Sequence, residues 1–168
     1  KRTKLPSERR VGDFTRTIGQ VPVGATAYLD GPHGVFTPDR HPEAAGFVFV
    51  AGGVGIAPIM SMLRTFADRG DARPLHLIFG NGTWERVLFR EELETLRSRL
   101  KLTVVHVLQE PPPDWTGLSG ILSPEVVRRA VPAEVRGWVC FLCGPKPMTD
   151  SVQRTLRGIG IPSSQIHL

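Results

Sequence analysis

After Gly46 the chain alternates short apolar runs with stretches of helical periodicity, and this alternation restricts its possible folds more than any other feature. Phe47-Val-Phe-Val-Ala51 reads as a buried strand. Ile59, Met62, Leu63 and Phe66 then fall at i, i+3, i+4 and i+7, one face of a helix that Gly70 can end. Leu75-His-Leu-Ile-Phe79 repeats the strand pattern. Phe89, Leu93, Leu96 and Leu100 mark a second amphipathic helix, with Glu91, Glu92 and Glu94 early and Arg97, Arg99 and Lys101 late, as its dipole favours. Leu102 to Leu108 is a third strand, and Pro111-Pro-Pro-Asp-Trp-Thr-Gly117 a loop. Ser123 as N-cap and Pro124 at the first helical position open a short helix. Trp138 to Cys143 is a fourth strand, and a last helix from about Pro147 to Arg157 carries Met148, Val152 and Leu156 on one face. The pattern predicts an α/β fold: a doubly wound parallel sheet of about five strands, helices on both faces, joined by right-handed crossovers.

Residues 1–40 do not join this pattern; Thr26-Ala-Tyr-Leu29 looks like a single strand amid Gly and Pro. They read as the end of a preceding β-rich domain, with the α/β domain over 41–168 and the chain a piece cut at both ends from a longer one. With 40% hydrophobic and 22% charged residues the 168-residue chain can bury a sizeable core. No apolar run approaches the ~20 residues needed to span a bilayer, so a soluble stretch is expected. The net charge of +5 is concentrated in the first twenty residues, where Lys1, Arg2, Lys4, Arg9, Arg10 and Arg16 outnumber Glu8 and Asp13. A solvated or phosphate-facing basic edge fits this better than nucleic-acid binding, since no aromatic interleaving accompanies it. The two cysteines, Cys140 and Cys143, lie three apart in a strand and so face opposite sides, which disfavours a disulfide between them.

In α/β sheets ligands bind beyond the carboxyl ends of the strands. After the first strand comes Gly52-Gly-Val-Gly-Ile-Ala-Pro58, leading straight into a helix. Glycines let the backbone approach a pyrophosphate, and free amides at a helix N-terminus complement its charge. After the second strand an ordinary dehydrogenase offers a ribose-binding acid, whereas this chain has Gly80-Asn-Gly-Thr83. After the fourth, Cys143-Gly-Pro145 places a thiol at the same edge, beside the glycine turn if the strand order is the usual doubly wound one.

Together these elements resemble the ferredoxin-NADP reductase superfamily of flavin- and pyridine-nucleotide-dependent oxidoreductases. Gly31-Pro-His-Gly34 looks like its hinge between flavin and nucleotide domains, Ala51-Gly-Gly-Val-Gly-Ile-Ala-Pro58 like its nucleotide pyrophosphate loop, and Cys143-Gly-Pro-Lys-Pro-Met148 like its nicotinamide-side motif. Gly12-Asp-Phe-Thr15 is similar to its flavin pyrophosphate turn. The resemblance implies NADH or NADPH across the carboxyl edge, passing hydride to FAD held by the preceding domain. It implies nucleotide contacts from Gly52, Gly53, Val54, Gly55, Pro58, Asn81, Gly82, Thr83, Gly144, Pro145 and Met148, and flavin contacts from Gly12, Phe14 and Thr15. Cys143 is the expected catalytic residue, packed near the reacting nicotinamide carbon rather than acting as a nucleophile. The isoalloxazine motif R-x-Y-[ST] would precede residue 1 and the E-x-[FW] element would follow Leu168, so this portion alone is expected to be inactive. Gly12-Asp-Phe-Thr-Arg-Thr-Ile18 and Phe79-Gly-Asn-Gly-Thr-Trp84 suggest bacterial reductases with a ferric-reductase-like transmembrane part upstream.

Gly82, where many members carry an Arg near the adenosine ribose, leans the coenzyme toward NADH, with Arg86 or Lys146 as possible substitutes for a phosphate clamp. No G-x-S-x-G elbow suggests a hydrolase, and His33, His41, His76, His106 and His167 form no close ligand pair in sequence, so no metal is expected. The alternative is a non-catalytic nucleotide-binding sensor using the same glycine loop; a methyltransferase would leave Cys-Gly-Pro unexplained. Nucleotide supply and the lack of a secretion signal favour the cytoplasm or its membrane face. The downstream electron acceptor is set outside these residues.

Overall fold

The computed structural model describes residues 17–31 and 33–168. The chain divides into two compact units, residues 1–33 and 34–168. In the first, the described residues hold one 3-10 turn, Ile18–Gln20. The strand expected at Thr26–Leu29 is not formed. A strand is held by its ladder, and no partner strand is present among the described residues of this unit; Tyr28 and Leu29 are 95% and 97% exposed.

The second unit is the α/β domain. Its strands are β1 (Phe47–Gly52), β2 (Leu75–Asn81), β3 (Leu102–Leu108), β4 (Leu118–Ser119), β5 (Val139–Cys143) and β6 (Ile166–His167). Its helices are α1 (Ile56–Arg69), α2 (Arg90–Arg99), α3 (Pro124–Ala130) and α4 (Lys146–Gly158). All strand pairs are parallel, in the order β4-β3-β2-β1-β5-β6, and the order reverses at β1. The sheet has one strand more than expected, because β4 and β6 are two-residue edge strands too short to leave a period.

Because β1 is central and covered on both faces, all six of its residues are buried. Alternate side chains feed two cores. Phe47, Phe49, Phe79 and Phe141 join Ile59, Leu63 and Phe66 of α1 and Leu93 and Leu96 of α2. Val48, Val50, Ile78, Cys140 and Leu142 join Val127 of α3 and Val152 and Leu156 of α4. Helix α1 ends where Gly70 takes a left-handed conformation, φ 63°, as expected. Ser123 caps α3, its Oγ accepting from the Val126 amide at 3.3 Å, with Pro124 in the first turn.

Phe89 departs from its expected place on the core face of α2. It sits at the N-cap in a left-handed conformation, φ 58°, with the Arg64 guanidinium 5.6 Å over its ring. Arg73 pairs with Asp71, stacks 4.9 Å over Phe47 and donates to the carbonyls of His41 and Pro42 at 3.4 and 3.3 Å. This ties the segment entering β1 to the amino edge of the sheet and leaves the carboxyl edge open.

Candidate functional site

At the carboxyl edge β1 gives way to a 3-10 turn, Gly53–Gly55, and α1 begins at Ile56 with no side chain capping it. No side-chain oxygen therefore competes with an anion there, although the Ile56 amide is bonded to the Gly53 and Val54 carbonyls and Pro58 has none to offer. Next to β1, β5 ends at Cys143, in register with Ala51. The glycine turn and the end of β5 touch: a Cβ on Gly55 would run into the Cys143 carbonyl and lie 2.9 Å from the Gly144 nitrogen. Gly53 has φ 52° and nothing within 4 Å of where a Cβ would stand, so this part of the turn presents bare backbone to open space.

Beside it lies a cleft of about 1010 Å³. Gly52, Gly53, Val54, Gly55, Asn81, Gly82, Cys143, Gly144, Pro145 and Met148 line it, ten of the residues singled out from the sequence. Pro58 lies within the first turn of α1 and Thr83 precedes the turn Trp84–Arg86; neither lines the cleft. Gly12, Phe14 and Thr15 lie outside the described residues.

The far wall was not anticipated. It is built by Gln109, Gly120, Ile121, Leu122, Ser123 and Pro124, with Pro147 and Ser151 on the α4 side. The cue was available in part, since Ser123-Pro124 marks a helix start, and helix starts in this fold face the carboxyl edge. Ile121 is a large apolar side chain left 65% exposed.

Two polar features of the cleft bear on its ligand. Asn81, at the end of β2, is only 6% exposed, and its Nδ2 has no hydrogen-bond partner. A buried donor without an acceptor costs about 1–3 kcal/mol, a cost that a ligand oxygen can remove. A Cβ on Gly82 would stand 3.8 Å from Nη1 of Arg86, so that guanidinium lies beside the end of β2, whereas Lys146 is engaged by Asp150 at 2.9 Å.

The two cysteines are free and separate as the strand period requires. Cys140 lies in the α3/α4 core, where burial pushes its thiol up to about 12, making it unreactive at neutral pH. Cys143 is half-buried and packs against the other core. His41 and His167, 126 positions apart in sequence, lie with ring centroids 4.5 Å apart and planes tilted by 46°, brought together by β6 pairing with β5 and by the segment strapped under Arg73. No third ligand joins them: among the described residues no group of three or more His, Cys, Asp or Glu could hold a metal ion.

A parallel sheet whose order reverses at β1, with an uncapped helix start and a glycine turn at the reversal, defines a nucleotide-binding α/β domain. More narrowly, the chain belongs to the oxidoreductase NAD-binding domain family, whose model matches residues 49–154. It is 34% identical over 149 residues to an NADH-cytochrome b5 reductase-like protein of Emericella nidulans, covering 88% of this chain and 30% of that one. It is 29% identical over 154 residues to NADH-cytochrome b5 reductase 1 of Kluyveromyces lactis, covering 89% and 54%. This chain therefore spans from under a third to about half of these relatives' lengths. Among solved structures it is similar to the CS-b5R domains of human Ncb5or in the NAD+ form, with TM-score 0.76, 25% identity and coverage of 99% and 50%. The cytochrome b5 reductase domain of Ulva prolifera nitrate reductase shares the fold, with TM-score 0.76, 24% identity and coverage of 94% and 64%.

Proposed function

We propose that this chain is the pyridine-nucleotide portion of an FAD-dependent NAD(P)H reductase, with residues 1–40 the end of its flavin domain and 41–168 the nucleotide domain. The observation that carries the reading is the packing of the Gly53–Gly55 turn against Cys143-Gly144 at the carboxyl edge, beside a cleft of about 1010 Å³. The residues present fit a dinucleotide. The bare turn and the uncapped start of α1 suit a pyrophosphate, and the unpartnered Asn81 Nδ2 suits an oxygen of the bound nucleotide. When bound, the nucleotide supplies a hydride and the flavin accepts it.

The chain's own residues bind and orient. The glycine turn and the positive end of the α1 dipole would offset phosphate charge, Ile121 and Leu122 would exclude water from the far wall, and Cys143 would pack beside the nicotinamide and help to orient it. Fixing that geometry is where most of the rate arises. The Gly82 position and the relatives' names favour NADH; if NADPH is used instead, Arg86 is the residue beside Gly82 to receive its extra phosphate. The relatives' names also favour a cytochrome b5-type acceptor. Among the described residues no helix is long and apolar enough to cross a membrane, and we place the domain on the cytoplasmic side, where nucleotide is supplied.

The test is anaerobic titration of the flavin-loaded native-length protein with NADH and then NADPH, following loss of the flavin's visible absorbance. Rapid bleaching by NADH is expected, and Cys143→Ser should slow it more than it weakens nucleotide binding. Flavin that stays oxidised with both nucleotides would remove the reductase reading and leave a nucleotide sensor.

A further inference from the structure

The two faces of the sheet hold their arginines differently. On the α1/α2 face Arg64, Arg69, Arg73, Arg97 and Arg99 meet Glu92, Asp39, Asp71, Glu94 and Asp68 in turn. On the α3/α4 face Arg128, Arg129, Arg136, Arg154 and Arg157 are all exposed, and among the described residues none has a carboxylate partner. The one ion pair there, Lys146 to Asp150, lies in the first turn of α4. Residues 34–119 carry nine Lys and Arg against ten Asp and Glu, whereas residues 120–168 carry six against three. The excess positive charge of the α/β domain thus lies in residues 120–168, which include α3 and α4, although Arg40, Arg86 and Arg90 elsewhere also have no carboxylate partner among the described residues.

The arginines of the α3/α4 face are also confined to one end of it. Arg128 and Arg129 are in the last turn of α3, Arg154 and Arg157 in the last turns of α4, and Arg136 in the loop entering β5. Helices in this fold run back against the strands, so all five sit toward the amino edge, opposite the cleft. Helix dipoles favour cations at C-termini, but α1 and α2 meet that preference with arginines that also have acids beside them. The dipole does not account for Arg136, nor for the missing carboxylates.

No large apolar side chain between Ile121 and Leu168 is exposed. Protein interfaces are usually anchored by apolar or aromatic residues at their centre, and this face offers none. What it offers is five exposed guanidinium groups with Glu134 the one acid in the loop beside Arg136, and guanidinium pairs with phosphate in a fixed fork. We propose that the α3/α4 end of the domain docks on an anionic phospholipid surface, holding the cleft turned away from the bilayer. The proposal is independent of the coenzyme reading.

The test is co-sedimentation of the 168-residue chain with phosphatidylcholine vesicles, with and without phosphatidylserine. Binding is expected only with phosphatidylserine and should weaken steeply with salt. At about 1 kcal/mol per basic residue near the surface, each Arg→Gln change should weaken it roughly five-fold. The combined Arg128→Gln, Arg129→Gln, Arg154→Gln, Arg157→Gln variant should lose it on the order of several hundred-fold. Its thermal unfolding should match wild type, and Arg64→Gln with Arg97→Gln on the opposite face should leave vesicle binding unchanged. Undiminished binding by the fourfold variant would overturn the proposal and assign binding to the basic residues 1–16. Binding to polyglutamate without binding to vesicles would overturn it in favour of an acidic protein.

Discussion

Gly55→Ala is the sharpest test of the site's construction. The added Cβ would meet the Cys143 carbonyl carbon and oxygen and the Gly144 nitrogen, all backbone atoms fixed by the β1–β5 ladder. No side chain can swing aside, so either the glycine turn or the end of β5 must shift. Overpacking of this kind costs about 1–3 kcal/mol, and with backbone as the obstacle about 3 kcal/mol is expected. For a domain of this size that is roughly a 6–12 °C fall in Tm, at about 2–4 °C per kcal/mol. Gly82→Ala is the control. Its Cβ would find only Arg86 atoms, at 3.8 and 4.0 Å, and should leave Tm unchanged or slightly raised. Thermal unfolding of both variants, with ADP-ribose titration by calorimetry, separates the effects: Gly55→Ala should lose stability and ADP-ribose binding together. If Gly55→Ala unfolds within a degree or two of wild type and binds ADP-ribose normally, the turn does not pack on Cys143 as described.

Asn81→Ala should leave Tm unchanged or raised, because it removes a buried Nδ2 that bonds nothing in the protein, yet weaken ADP-ribose binding about five- to tenfold in calorimetry, the worth of one hydrogen bond. Ser123→Ala removes the α3 cap and should cost about 1 kcal/mol in urea unfolding. Burial holds the imidazoles of His76, His106 and His167 below their ordinary value of 6.5, with the Ala130 carbonyl opposing the shift at His76 and His41 reinforcing it at His167. Folding therefore resists their protonation. Stability is full above pH 6.5, where the unfolded imidazoles are neutral, and falls as pH drops below it until the folded-state values are passed. Tm measured across that range should show this slope, and His106→Phe should flatten it.

The parts of the fold legible in the sequence were those with a period or a punctuation mark. The Phe47–Ala51 run, extended by Gly52, the Leu102–Leu108 run and the Ser123-Pro124 helix start each stand where they were expected, because burial on both faces and capping are local demands that local residues answer. Leu118–Ser119 and Ile166–His167 were not legible, since two residues carry no period and they are strands only because β3 and β5 already lie beside them. Phe89 misled for a related reason. Its i+4 spacing to Leu93 is genuine, but it stands one residue before the helix in a left-handed conformation, and that takes its ring out of the core. The approach of His41 to His167 depends on contacts between residues far apart in sequence and left no local trace.

The same distinction explains why half of the cleft was legible. Glycines at a turn and a cysteine at a strand end announce themselves, but what makes them one site is the parallel register that sets Ala51 opposite Cys143. Side chains alternate along a strand, so a slip of one residue would put Cys143 on the wrong side of β5 and Gly144 out of reach of the Gly53–Gly55 turn. Phe47, Phe49 and Phe141 prevent that slip, because all three must face the α1 core at once and their rings pack within 6.2 Å of one another. The aromatic core at the middle of the sheet thus determines the geometry at its edge. Truncating Phe141 should cost about 3–5 kcal/mol and loosen nucleotide binding, although its ring lies among those core aromatics and does not line the cleft.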